Sequence, residues 1–169
     1  PKGLFDLLEA IAFANEKLKG TPVRMKLLVA GGFFVAAERE EFDRRLRQPD
    51  LVNWVEYKGF VSGDEKRGLL RTSDCLCFPT YYEAESFGLV VIEAMAYGLP
   101  VVVTNWRSVP EVVPPEYGHV VEPRSPEQLA KALIGLLGEG YDPRLREHFL
   151  AQYTAELFVA KIRAALMNL

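Results

Sequence analysis

Residues 75–104, CLCFPTYYEAESFGLVVIEAMAYGLPVVVT, read as strand, helix, strand. Cys75-Leu76-Cys77-Phe78-Pro79 and Val101-Val102-Val103-Thr104 are short apolar runs bounded by turn residues, as buried strands are. Between them a helix is predicted from Phe87 to about Tyr97, stopped by Gly98 and Pro100. Both strands are apolar nearly throughout rather than alternating, which is the mark of a parallel sheet covered on both faces.

The same rhythm runs outward in both directions. Upstream, KGLFDLLEAIAFANEKL (2–18) places Leu4, Leu7, Leu8, Ile11 and Leu18 at helical spacing, and MKLLVAGG (25–32) is a strand ending in a Gly-Gly turn. Ala36 to Arg47 is a charge-rich helix with Phe42 and Leu46 inward, and WVEYKGFV (54–61) is a second strand. Ser62-Gly63-Asp64-Glu65 has capping-box spacing, with the Ser62 oxygen accepting from the Glu65 N–H, and opens a short helix to about Ser73. Downstream, Val109 to Val113 forms a single turn and Gly118 to Glu122 a fifth strand. Ser125-Pro126 starts a helix to about Gly138, Asp142-Pro143 opens another, and Thr154 caps the last. The predicted fold class is α/β, a Rossmann-like, doubly wound parallel sheet. Ligands of such folds bind just past the carboxyl ends of the strands.

A chain of 169 residues suits one α/β domain, here residues 1–169. Apolar residues at 49% and charged residues at 25% are those of a soluble globular protein, and no apolar run reaches the ~20 residues of a membrane-spanning helix. A formal net charge of −3 argues against nucleic acid as a partner while leaving room for a small anion held by local donors. Two cysteines form a poor disulfide framework and point to a reducing, cytoplasmic location. The chain shows no signal peptide and opens at Pro1 inside an apparent element, so a fragment of a longer protein is expected.

Glu85-Ser86-Phe87-Gly88-Leu89 follows a strand and opens a helix. The first N–H groups of a helix lack intrahelical partners and carry about half a positive charge, which makes an anion site. Gly88 has no Cβ, so a phosphate can approach its backbone closely. Glu93 lies about six residues into the predicted helix, ~9 Å along its axis, with its Cα–Cβ bond tilted back toward the anion site. Its carboxylate can accept from both hydroxyls of a ribose diol. Glu85, on the other side of the phosphate position, is placed for the hydroxyls of a sugar. Glu83, two residues earlier, is set aside as solvated.

Two Glu eight residues apart are common, so the spacing alone is weak. The longer pattern is specific: Glu85-x-Phe87-Gly88-Leu89-x-x-x-Glu93-Ala94-Met95-Ala96-x-Gly98-x-Pro100-Val101-Val102 after a strand. It resembles the E-x7-E motif of the family 4 retaining glycosyltransferases of the GT-B fold. The resemblance extends over KGLFDLLEA, VEYKGFVSGDEKRGLLRTSDCLCFPT and PEVV…YGHVVEP…PEQLAKAL, nearly the whole chain. It implies the C-terminal, donor-binding half of an enzyme that transfers a sugar from a UDP-, GDP- or ADP-sugar with retention. Glu85 is then the catalytic-site carboxylate on the donor sugar, and Glu93 holds the ribose. Ser86 and the backbone of Phe87, Gly88 and Leu89 hold the diphosphate, and Lys2 matches the family's diphosphate lysine. The loop at Phe60, Val61 and Ser62 lies beside the base, with Gly31-Gly32 a weaker match.

No metal or other cofactor is implied, since Lys2, the helix N-terminus and an arginine upstream of this chain stabilise the leaving diphosphate. The implied partners are the nucleotide-sugar donor and an N-terminal acceptor domain. The full enzyme is also given a peripheral place at the inner face of a membrane. Two alternatives stand beside this reading: a non-catalytic nucleotide-binding or interaction domain, and a nucleotide-sugar epimerase or phosphorylase of the same architecture.

Three departures from the family pattern matter. The Gly-Arg normally preceding the lysine lies outside the chain. Arg107-Ser108 stands where Gly-Gly usually precedes Pro-Glu. The acceptor domain is absent, so weak binding and poor transfer are expected of this chain by itself. Cys75 and Cys77 share one strand face and read as core packing rather than a metal pair. His119 and His148 have no catalytic partner in sequence. Trp54 and Trp106 read as packing residues, with Trp106 and Arg107 retaining a place lining the donor pocket as the alternative.

Overall fold

Every segment read as a strand pairs in parallel in the computed structural model, which describes residues 2–167. In chain order the elements are α1 (Leu4–Lys17), β1 (Leu27–Ala30), α2 (Ala36–Arg45), β2 (Val55–Gly59), α3 (Gly63–Thr72), β3 (Leu76–Phe78) and α4 (Leu89–Ala96). They continue with β4 (Val101–Thr104), a 3-10 turn at Val109–Val112, β5 (Val120–Val121), α5 (Pro126–Gly135), α6 (Pro143–Gln152) and α7 (Ala155–Met167). The expected α/β, doubly wound parallel arrangement is present. Its backbone pairing is divided between two ladders, β1–β2 and β3–β4–β5. Leu27 lies opposite Val55, Leu76 opposite Val101, and Val103 opposite Val120.

Side chains span that division. Strand residues alternate between the two faces of a sheet. Cys75, Cys77, Val102 and Val121 join Leu27, Val29 and Tyr57 in one apolar cluster with Leu8 and Ile11 of α1, Phe42 of α2 and Leu129 of α5. Leu76, Phe78, Val101, Val103 and Val120 face the other way, against Val91 and Met95 of α4, Val109 and Val112 of the 3-10 turn, and Leu145 of α6. Continuous apolar runs in the strands are thus buried on two sides, as a layered α/β fold requires. Cys75 and Cys77 are core residues, and burial pushes the Cys75 thiol up to about 11 and the Cys77 thiol well above its usual value.

The helix starts follow the local signals in part. Asp142 accepts from the Arg144 N–H at 2.9 Å, and the Thr154 hydroxyl oxygen accepts from the Leu157 N–H at 3.4 Å. The capping box expected at Ser62 does not form. Ser62 is extended, its side chain makes no cap bond, and the first turn is closed by the Lys66 N–H on the Ser62 carbonyl at 3.3 Å. Helix α4 begins at Leu89, two residues later than expected, because Gly88 is left-handed at φ 66° and cannot belong to a right-handed turn. Among the described residues no helix is long and apolar enough to cross a membrane.

Candidate functional site

Ten residues, 79–88, separate β3 from α4. Hydrogen bonds hold this long loop in place. The Thr104 hydroxyl donates to the Thr80 carbonyl, both threonines being buried, and the Tyr82 N–H donates to the Thr80 hydroxyl oxygen at 3.2 Å. The Trp106 indole N–H donates to the Tyr82 carbonyl at 2.9 Å. Trp106, read from sequence as a packing residue, is therefore a tether between the loop after β4 and the loop after β3.

The N-terminus of α1 seats on the same loop. Gly3, the residue before α1, is left-handed at φ 70°, and a Cβ built there would lie 2.0 Å from the Pro79 carbonyl oxygen. This close approach brings Lys2 to Glu85, with Nζ 3.4 Å from Oε2 and 5.3 Å from the centre of the Tyr82 ring. The other Glu85 oxygen accepts from the Gly88 N–H at 3.3 Å. Glu85 thus caps one of the backbone donors expected to face a diphosphate. Its side chain is only 14% exposed.

Gly88 is buried, and a Cβ there would come within 2.9 Å of the Phe78 ring. Ser86, Phe87 and Leu89 around it are exposed. The Phe87 ring meets Tyr153, at the end of α6, edge-on at 6.1 Å. The opposite end of α4 is closed by the Arg146 guanidinium, which donates to the Ala96 carbonyl and so sits where the helix dipole favours a cation.

Glu93 is the fifth residue of α4, ~6 Å along the axis from its first residue. Its Oε1 lies 2.7 Å from the Lys66 ammonium of α3. Lys66 was not singled out from sequence. Its only local signal is its place one turn past Ser62, and nothing in the linear pattern announces a partner 27 residues away. Because α3 starts after β2 and α4 after β3, this contact sets the carboxyl ends of the two ladders side by side. Val61 is half-buried immediately before Ser62, and Phe60 is 81% exposed. The turn after β1 is fixed by the Tyr57 hydroxyl, which donates to the Gly31 carbonyl at 2.8 Å. Glu83 is exposed.

The loop bearing Arg107-Ser108 keeps a backbone shape that glycine favours, since Arg107 has a φ of 49°. The site therefore consists of two carboxylates on the loop and first turns of one helix, Glu85 paired with Lys2 just before α1 and Glu93 with Lys66 of α3, about a helix N-terminus whose Gly88, expected from sequence to admit a phosphate, instead makes room for the Phe78 ring.

Residues 1–161 match the family described as Glycosyl transferases group 1. The chain belongs to this family. This glycosyl transferase chain is 32% identical over 151 residues to the phosphatidyl-myo-inositol mannosyltransferase of Mycobacterium leprae, covering 89% of this chain and 37% of the relative. Its fold is similar to that of Anabaena HepE in complex with UDP-glucose, with a TM-score of 0.82 at 20% identity, over 99% of this chain and 46% of that one. It is also similar to sucrose-phosphate synthase from Thermosynechococcus elongatus, with a TM-score of 0.73 at 26% identity, over 96% of this chain and 43% of that one. The glycosyl transferase chain thus has the fold of the Rossmann-like C-terminal half of GT-B enzymes and spans less than half the length of these relatives.

Proposed function

We propose that this chain is the donor-binding part of a retaining, family 4 glycosyltransferase that moves a sugar from a nucleotide-diphosphate sugar to an acceptor. The observation that carries this reading is the pairing of Glu85 with Lys2 and with the Gly88 N–H at the start of α4. A cation, a helix N-terminus and a carboxylate there meet the three needs of the donor: diphosphate charge, backbone N–H donors and sugar hydroxyls.

In this reading Glu85 orients the donor sugar, and Glu93 accepts from the ribose hydroxyls. Lys2 and the Gly88 N–H, which Glu85 holds in the free chain, pass to the diphosphate together with Ser86 and the backbone of Phe87 and Leu89, and Val61 lies beside the base. Negative charge grows on the leaving diphosphate as the glycosidic bond breaks. Lys2 and the N-terminus of α4, oriented in advance, stabilise it without a metal. The base is uracil, guanine or adenine; HepE with bound UDP-glucose supports a uridine-diphosphate donor for a fold of this kind.

The acceptor site belongs to an N-terminal domain. Helix α7 supports that placement: it buries none of its residues in this chain and leaves Phe158 at 65% and Leu166 at 66% exposure. In this reading the complete enzyme works in the cytoplasm, at the inner face of a membrane. The test is Glu93→Gln with donor binding followed by calorimetry. Loss of a charged acceptor is expected to cost about 1.5–3 kcal/mol, one to two decades in affinity. Unchanged affinity refutes the proposal.

A further inference from the structure

We infer that Lys66 is a positioning residue for the nucleoside end of the donor, acting through Glu93. The inference rests on the donor-site reading above and deepens it. Helix α4, LVVIEAMA, contains no basic residue, and Val91, Ala94 and Met95 around Glu93 are buried. The carboxylate therefore emerges from an apolar turn that offers no cation of its own. Lys66 supplies one from another helix at 2.7 Å, within the range of a charge-assisted bond. A carboxylate has about four acceptor positions, so a lysine on Oε1 leaves capacity for both hydroxyls of a diol.

The place of Lys66 adds to this. It lies in the first turns of α3, directly after loop 60–62, while Glu93 lies in the helix that follows loop 79–88. The pair ties α3 to α4 beside the loops that follow β2 and β3. It also repeats the arrangement at Glu85, whose lysine comes from 83 residues away. Both side chains of the Lys66–Glu93 pair are more than a third exposed, at 37% and 40%, and exposed pairs add little to folding stability. The contribution of Lys66 is therefore read in ligand binding. Lys66 holds the Glu93 carboxylate in the one orientation that meets the diol.

The experiment is calorimetric titration of the 169-residue chain with UDP, GDP and ADP, and with the 2′,3′-dideoxy counterpart of whichever binds most tightly. The dideoxy nucleotide keeps the base and the diphosphate but lacks the diol. Lys66→Met is expected to weaken the ribose nucleotide about threefold to fivefold and to leave the dideoxy nucleotide unchanged, with Lys66→Arg restoring most of the loss. In a Glu93→Gln background Lys66→Met is expected to cost nothing more. An equal loss for both nucleotides makes Lys66 a general charge effect and overturns the inference. So does no loss for either, or full additivity with Glu93→Gln. A wild-type chain that binds ribose and dideoxy nucleotides equally refutes the donor-site reading itself, which is a separate outcome.

Discussion

Gly3→Ala is the sharpest test of how α1 is seated. The new methyl group would lie 2.0 Å from the Pro79 carbonyl oxygen, 2.8 Å from its carbonyl carbon and 3.1 Å from its Cβ. Carbon contacts are comfortable at about 3.5–4.0 Å, so the helix or the loop must move by more than an ångström. The obstructing atoms are mostly backbone and cannot rotate away. A left-handed alanine costs about 1 kcal/mol and forced overpacking about 1–3 kcal/mol, giving roughly 2–4 kcal/mol together. For a domain of this size that corresponds to a fall in melting temperature of roughly 5–15 °C. Gly20→Ala is the control, since Gly20 is also left-handed at φ 89° but has nothing within 4 Å of its added methyl. It isolates the conformational cost of about 1 kcal/mol. Thermal melts of both variants followed by circular dichroism decide the matter. If Gly3→Ala melts no lower than Gly20→Ala, α1 does not rest on the Pro79 carbonyl and the placement of Lys2 beside Glu85 loses its cause.

Asp142→Ala removes the cap of α6 and is expected to destabilise the chain by about 1 kcal/mol at pH 7, measured by urea denaturation. The Arg144 guanidinium bonded to Asp142 holds its carboxyl below the usual value of 3.8, so this stability is present above that value and lost as pH falls through the lowered one; the wild-type and variant curves should converge in acid. Arg107→Gly relieves a positive φ and is expected to raise stability by about 0.5 kcal/mol once the greater freedom of the unfolded glycine is subtracted, and a lower melting temperature would contradict the assignment. Cys75 and Cys77, with thiols pushed up by burial, should resist alkylation at pH 8 in the folded chain and react on unfolding, which mass spectrometry of labelled protein will show.

Much of the candidate site was legible because its signals are local. Glu85 and Glu93 are eight residues apart across one loop and the first turns of the helix it enters, Gly88 lies between them, and the chain leaving β3 had to deliver all three to one helix start. The start of α4 and the Ser62 cap were misjudged for a related reason. Both depend on backbone torsions at a junction, where neighbouring elements outweigh the short sequence pattern.

The sequence by itself determined the succession of strands and helices, their parallel and doubly covered character, and the helix tip on which two carboxylates are mounted. Each of these follows from periodicity, apolar runs and glycine or proline placement within a few residues. Only the tertiary structure decided which lysine serves each carboxylate, that Trp106 tethers the loop holding Glu85, and that backbone pairing divides into two ladders bridged by side chains. Those contacts join residues 83, 27 and 24 positions apart. They exist because the packed layers hold separate helices and loops at fixed distances, a constraint that no local pattern of residues encodes.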